Sequence, residues 1–321
     1  MPFVSVIVPN YNHGRYLGQR LESVFQQSFE DYEVIILDDA STDESKEIIE
    51  RYRNHPKVSH IVYNTQNSGS TFRQWRRGLE RSKGEWIWIA ESDDYCTADL
   101  LNVLVKQGLS NEDVVLSYCQ SNEVNENGEG WRNMTWFTDP VDKEHWRNDY
   151  CNEGRNEIQQ YLWQLNAIPN ASAVLFKRTA YYNASPAFES MKMCGDWFLW
   201  IELLRQGNIV FCATAHNFFR CHANSTRTHE TERWKKRLEE EMLIAQHLIS
   251  ILPATDRPKL HARMNSLLRS YCSTFSGKEV VQFLRNPATY ESPFPYAAFM
   301  RTFSVRSAYK IAKTLFARKK N

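Results

Sequence analysis

Five clusters of polar side chains in this sequence could do chemistry. The densest is Glu91-Ser92-Asp93-Asp94. Clustered carboxylates repel one another and are best tolerated where a cation compensates them. Mg2+ or Mn2+ accepts such oxygen ligands and completes its shell with water and substrate phosphates. A solvated acidic turn, with one aspartate capping the next helix, explains the same residues equally well in isolation. Asp38-Asp39 forms a second acidic pair; a carboxylate there could accept the imide proton of uracil or contact ribose hydroxyls. A plain polar loop, with Asp43 capping the helix that follows, is the better reading of that pair alone. Asn67-Ser-Gly69-Ser-Thr71 precedes Arg73, Arg76 and Arg77. Small residues at a helix start suit anions, and arginine suits diphosphate, although Arg76 and Arg77 also fit a solvated basic face. Gly195-Asp196-Trp197 offers either a general base or a helix cap, and local physics favours the cap. Arg220-x-His222, with Arg227 and His229 nearby, could reach phosphate or metal, or could be surface residues.

The elements that must position these clusters are readable from periodicity. Apolar runs at 3–8, 32–37, 58–63, 85–90 and 113–117 read as strands, with Pro9 stopping the first. Helical spacing over 15–27, 44–53, 73–82 and 100–109 separates them. Strand alternating with helix implies a parallel α/β sheet with right-handed crossovers. In such sheets ligands bind beyond the carboxyl ends of the strands, so the polar segments at Asn10, Asp38 and Asp93 should converge on one crevice. Residues 121–156 lose periodicity and read as a long connection over the site. A strand at 171–176, a helix at 196–205 and short strands at 209–212 and 217–221 follow. From about Thr231 onward the chain reads as helices.

Bulk properties narrow the class. The chain has 321 residues with a formal net charge of +1, which argues against a nucleic-acid partner. No apolar stretch reaches the roughly 18–20 residues that cross a bilayer, and no secretory signal opens the chain. Seven scattered cysteines without a Cys-x-x-Cys pair point to reduced thiols and a cytoplasmic setting.

Taken in order, the motifs resemble family 2 glycosyltransferases of the GT-A fold, which build bacterial polysaccharides and glycolipids. The resemblance runs through Val4-Ser-Val-Ile-Val-Pro9-Asn-Tyr-Asn12, Tyr16-Leu17, Ser23-Val24-x-x-Gln27-Ser28 and Val34-Ile-Ile-Leu-Asp-Asp39-Ala-Ser-Thr-Asp43. It continues through Asn67-x-Gly69, Lys83-Gly84-Glu85, Glu91-x-Asp93-Asp94, Gly195-Asp196-Trp197 and Arg220-x-His222, over residues 3 to 228. It implies a mostly parallel central sheet flanked by helices, a catalytic domain at 1–228 (nucleotide-binding 1–118, acceptor-binding 119–228) and a helical region at 229–321.

The resemblance also implies roles. Pro9, Tyr11 and Asn12 would wall the base, and Asp39 would recognise it with Asp38 beside it. Asn67, Gly69, Arg73 and Asp93 would contact ribose or diphosphate. Asp94 and His222 would hold Mn2+ or Mg2+, and Asp196 would be the catalytic base. Two departures stand out: Glu91 replaces the commoner aspartate, and Gly195 replaces a commoner glutamate. The implied reaction is an inverting transfer from a nucleotide-diphospho-sugar, with a UDP-sugar as the expected donor, to a saccharide or lipid-linked saccharide hydroxyl. The alternatives are a sugar-nucleotide pyrophosphorylase, whose Gly-rich phosphate loop should follow the first strand, and a non-catalytic sugar-nucleotide binder. Residues 299–321 carry seven basic and no acidic side chains. A basic amphipathic helix there could make peripheral contact with an anionic membrane, or could dock on the protein.

Overall fold

The structure is a computed structural model of the chain, described here for residues 1–130, 132–222, 231–276 and 279. Two compact units form, residues 1–225 and 226–321. The expected boundary at 228/229 lies outside the described residues, as do Arg227, His229 and the basic segment 299–321.

The first unit opens with β1 (Val4–Asn10), α1 (Gly14–Phe25), β2 (Tyr32–Asp38), α2 (Ser45–Glu50), β3 (Val58–Tyr63), α3 (Thr71–Leu79) and β4 (Trp86–Ile89). β5 (Tyr95–Cys96), α4 (Leu100–Gly108) and the long β6 (Val114–Val124) follow. Shorter pieces come next: β7 (Arg132–Asn133), α5 (Thr135–Thr138), β8 (Tyr150–Asn152), α6 (Gly154–Glu157), β9 (Val174–Lys177) and α7 (Arg178–Tyr182). The unit closes with α8 (Gly195–Leu204) and β10 (Asn208–Arg220). The sheet order is β3-β2-β1-β4-β9-β6-β10-β5, with β7 added on β6 and β8 on β10. β3, β2, β1 and β4 run parallel, β9 is antiparallel to both its neighbours, and β10 is parallel to β6. Every residue of β1 and β2 is buried, as expected for parallel strands covered on both faces.

Three expected elements change. β1 continues through Pro9 to Asn10, because pairing with β4 ends at Ile7 while pairing with β2 continues through Pro9↔Leu37. One side of the strand is open there, where a residue without an amide proton costs no ladder bond. The expected strand at 171–176 starts as a 3-10 turn over Ala171–Ala173, capped by the Asn170 side chain accepting from the Ser172 amide. The two strands expected at 209–212 and 217–221 are one. β10 breaks register between Cys212 and Ala215 and again between Ala215 and Asn217. Such bulges interrupt the period-2 alternation by which a strand is recognised.

The second unit contains α9 (Thr231–Ile251) and α10 (Arg257–Thr274), joined through Pro253. Leu238, Met242, Ala245, Met264, Leu268, Tyr271 and Phe275 form their shared core. No helix among the described residues is long and apolar enough to cross a membrane.

Candidate functional site

The ends of β1 and β2 are knitted together before any ligand is considered. Asn10 Nδ2 donates to Asp38 Oδ1 at 2.9 Å, and Asp38 Oδ2 accepts from the Ser41 amide. Asn12 Oδ1 accepts from the Thr42 amide, and its own amide donates to Ser41 Oγ. Asn12 and Ala40 hold φ of 53° and 63°, the two non-glycine residues in the left-handed region among the described residues. Such a conformation is uncommon for alanine, and strain of this kind clusters at binding sites. Pro9 is buried, Asn12 is exposed, and Tyr11 presents 46% of its surface.

Asp39, expected at the base, directly follows β2. It is buried, and protein donors surround its carboxylate: Asn64 Nδ2, the Ser68 amide, Ser68 Oγ and Gln74 Nε2. These donors come from the turn at 64–68 and from α3, so Asp39 fastens that turn to β2. Asn67 caps the same turn through Oδ1 and the Gly69 amide, at a glycine with φ of 69°. Arg73 is exposed, with Nη1 on the Ser68 carbonyl. Arg76 bridges Glu80 and Glu189 on the surface, so it belongs to a solvated face.

Two buried arginines bracket the acidic loop. Arg20 Nε donates to the Glu91 carbonyl, and Arg220 Nε donates to the Asp93 carbonyl, each at 2.8 Å. Arg220 also reaches the Glu126 carbonyl and Gln19 Oε1, so its guanidinium is committed to the protein. Asp94 lies between the two arginines. Its Oδ1 accepts from the Arg220 amide, its Oδ2 from Asn170 Nδ2, and Arg20 Nη2 stands 3.8 Å away. Asp94, which the resemblance placed at the metal, is 2% exposed, and its bonds to these donors organise the loop. Arg20 had a readable signal, because it lies on the same helical stripe as Leu17, Leu21 and Val24, where charge is rare. Asn170 and Ser172, whose Oγ accepts from the Glu91 amide, had none.

The neighbouring Asp93 faces the other way. His222 Nε2 lies 3.0 Å from Asp93 Oδ2, and His13 joins them. Ligand-capable atoms of His13, Asp93 and His222 all lie within 4.8 Å of one another. Two imidazoles and a carboxylate suit a divalent transition ion. The charge balance agrees. Burial first, then the Asp93 charge, pushes Glu91 up to about 8 and Asp94 up to about 6. Burial opposes ionisation of Asp93 too, but the His222 hydrogen bond and the His13 charge outweigh it and hold its carboxyl below the usual range. Burial pulls the His13 imidazole below its ordinary value, against the opposing charge of Asp93. Burial and the nearby Asp93 charge thus disfavour further ionisation in the loop, a cost that a cation would lower. His222 was expected here from sequence; His13, inside the turn after β1, was not singled out.

Asp196 is the second residue of α8, and its Oδ2 accepts from Asn166 Nδ2 at 2.8 Å. Two contact chains tie it to the acidic loop. Residues 166–172 touch Asp196 through Asn166, Asp94 through Asn170, and Glu91 through Ser172. On the other side, Trp75 Nε1 donates to Glu91 Oε1 at 2.7 Å and packs edge-on against Phe72. Phe72 in turn fills the space beside Gly195: a Cβ there would lie 2.5 Å from Phe72 Cε2 and 2.8 Å from the Phe188 carbonyl. The two departures noted in the sequence, Glu91 and Gly195, are thus joined by one helix, α3.

Residues 5–181, more than half of the chain, match glycosyl transferase family 2. The chain belongs to this family. Among curated relatives, this family 2 chain is 38% identical over 100 residues to a putative teichuronic acid biosynthesis glycosyltransferase, TuaG, of Bacillus subtilis. It is 38% identical over 101 residues to the poly(ribitol-phosphate) beta-N-acetylglucosaminyltransferase TarS of Staphylococcus aureus. The matched segments cover 31% and 30% of this chain, and only 39% and 17% of those relatives. The fold is that of a TarS fragment, residues 1–349, with a TM-score of 0.58 at 17% identity over 96% of this chain and 82% of the fragment. It is equally that of the mannosyltransferase PcManGT from Pyrobaculum calidifontis, solved with GDP-Man and Mn2+, with a TM-score of 0.57 at 19% identity over 98% and 83%. The architecture is GT-A: a central mixed sheet flanked by helices, with helices following at the C-terminal side.

Proposed function

We propose that this chain is an inverting glycosyltransferase that uses a nucleotide-diphospho-sugar donor and a divalent cation. The carrying observation is the His13–Asp93–His222 cluster, tied through residues 166–172 to a separate carboxylate, Asp196. Donor and acceptor chemistry need such a division: one group to balance the leaving diphosphate, another to take up a proton.

A cation held at Asp93 and His222 would supply Lewis-acid stabilisation of charge on the departing diphosphate. Asp196 accepts the proton of the acceptor hydroxyl as that oxygen forms a bond to the anomeric carbon. The bond from that carbon to the diphosphate oxygen breaks, and its electron pair leaves with the nucleoside diphosphate. Attack from the opposite face inverts the anomeric configuration. Asn166 holds one oxygen of Asp196 and so fixes the carboxylate plane during transfer. The exposed Tyr11, Asn67 and Arg73 border the donor, with Pro9 and Asp38 supporting them from within. The names of the curated relatives support an acceptor in cell-surface polysaccharide synthesis; a lipid-carried acceptor would bring the chain to the cytoplasmic face of a membrane.

The test is turnover of a panel of UDP- and GDP-sugars with Mn2+, reading nucleoside diphosphate release and the anomeric configuration of the product. Release of UDP or GDP, dependent on Asp93 and Asp196, is expected. Pyrophosphate release, or donor binding with no turnover, would overturn the reading.

A further inference from the structure

We infer that His13 is a third protein ligand of the cation, and that the site thereby selects a nitrogen-binding ion of the Mn2+ class over Mg2+. This rests on the reading above, that a divalent cation sits at Asp93 and His222.

The acidic loop viewed by itself suggests an all-oxygen site of Glu91, Asp93 and Asp94, which would suit Mg2+. In the structure two of those three carboxylates are engaged by protein donors. Glu91 is held by the Trp75 indole, and Asp94 by the Arg220 amide and Asn170. What remains is one carboxylate between two imidazoles contributed by distant parts of the chain: His13 after β1, Asp93 after β4 and His222 after β10. Two ligand atoms at right angles about an octahedral ion lie about 3 Å apart when each bond is about 2.1 Å. His222 Nε2 and Asp93 Oδ2 already stand at 3.0 Å. The 4.8 Å span of the whole set is near the separation of opposite ligands, about 4.2–4.4 Å on the same arithmetic.

His13 is also fixed as a ligand needs to be. Its Nδ1 shares a hydrogen bond of 2.8 Å with the buried Ser92 Oγ, which leaves Nε2 for a cation. A partner on the far nitrogen that sets the ring's orientation is the usual arrangement around metal-binding histidines. The ring edge packs against His222 at 5.5 Å and Tyr16 at 6.1 Å, and Tyr16 packs against His222 at 5.1 Å. Imidazole pairs favour Mn2+, Fe2+ and Co2+ over Mg2+, which gives up water and oxygen ligands reluctantly.

The experiment uses the full chain with excess UDP, titrated with MnCl2 or MgCl2 by calorimetry. Pulsed electron paramagnetic resonance of bound Mn2+ counts the coupled imidazole nitrogens. Wild type should bind Mn2+ at least about tenfold tighter than Mg2+ and show two imidazole couplings. His13→Gln should lose about tenfold or more in Mn2+ affinity, keep its Mg2+ affinity, and show one coupling. Ser92→Ala, which frees the ring without removing it, should cost about 10- to 100-fold in Mn2+ affinity. A single coupling in wild type overturns the inference even if neither variant folds. Unchanged Mn2+ binding by a folded His13→Gln protein, judged by its melting curve, overturns it as well. Absence of any Mn2+ or Mg2+ binding in the presence of UDP would instead sink the underlying cation reading.

Discussion

The two sides of the sheet supply the same site with different architecture. Residues 1–118 repeat strand, turn and helix, and their polar turns are fastened by buried hydrogen bonds: Asn10 to Asp38, Ser68 and Gln74 to Asp39, Arg20 to the acidic loop. Residues 119–222 break into strands of two to four residues, 3-10 turns and a π-helical stretch at Ile158–Leu162 before α8 and β10 restore order. The first side resembles a rigid cradle whose carboxylates are largely engaged in holding its own shape. The second carries Asp196 on a helix start steadied by a residue from an irregular segment. Damage to the buried fastenings of the first side should therefore appear mainly as lost stability, and damage to Asp196 or its support as lost turnover in a folded protein. π-turns recur at functional sites, which agrees with this division.

That contrast can be broken experimentally. Asp196→Asn should produce the largest effect: about 10²- to 10⁴-fold slower transfer, with an unchanged melting temperature and intact UDP binding. A large drop in stability would erase the distinction. Asp94→Ala should do the reverse. It leaves Arg20, which is fully buried, without its carboxylate, and removing one member of a buried pair costs about 3–5 kcal/mol. Equilibrium denaturation measures this, and Asp94→Leu combined with Arg20→Met should recover part of it. Asn166→Ala should slow transfer by about tenfold to a hundredfold through misorientation of Asp196, with the substrate KM less affected than kcat. An equal loss in both would reassign Asn166 to binding. Gly195→Ala is the mildest: overpacking against Phe72 costs about 1–3 kcal/mol. Phe72→Leu in the same chain should relieve it, while a Gly195→Ala protein of full stability would show that the aromatic wedge yields.

How much of this was readable beforehand follows the same division. The parallel side announced itself through apolar runs at 3–8 and 32–37 and the polar turns after them, because strand burial and turn chemistry are written locally. Which of two adjacent aspartates turns toward the histidines was not readable. Asp93 and Asp94 are identical in type, and only the direction of each side chain, set by Arg20, Arg220 and Asn170, distinguishes them. The surroundings of Asp39 were hidden for the same reason: its partners Ser68 and Gln74 lie about thirty residues downstream. His13 could have been weighed, since histidine in a turn after a strand end is chemically suggestive. Asn166 and Asn170 could not, because they sit in a segment without periodicity and asparagine is ordinary in loops. The bulges in β10 concealed a continuous strand by shifting its alternation.

Helix α3 grips Glu91 with Trp75 and presses Phe72 against the first turn of α8. Anyone recombining this scaffold with a relative meets a constraint from that contact. The acidic loop, α3 and the residue before Asp196 are one inheritable block. A graft that imports a relative's glutamate at position 195 while keeping Phe72 would set two side chains in one space, and should succeed only when the whole trio travels together.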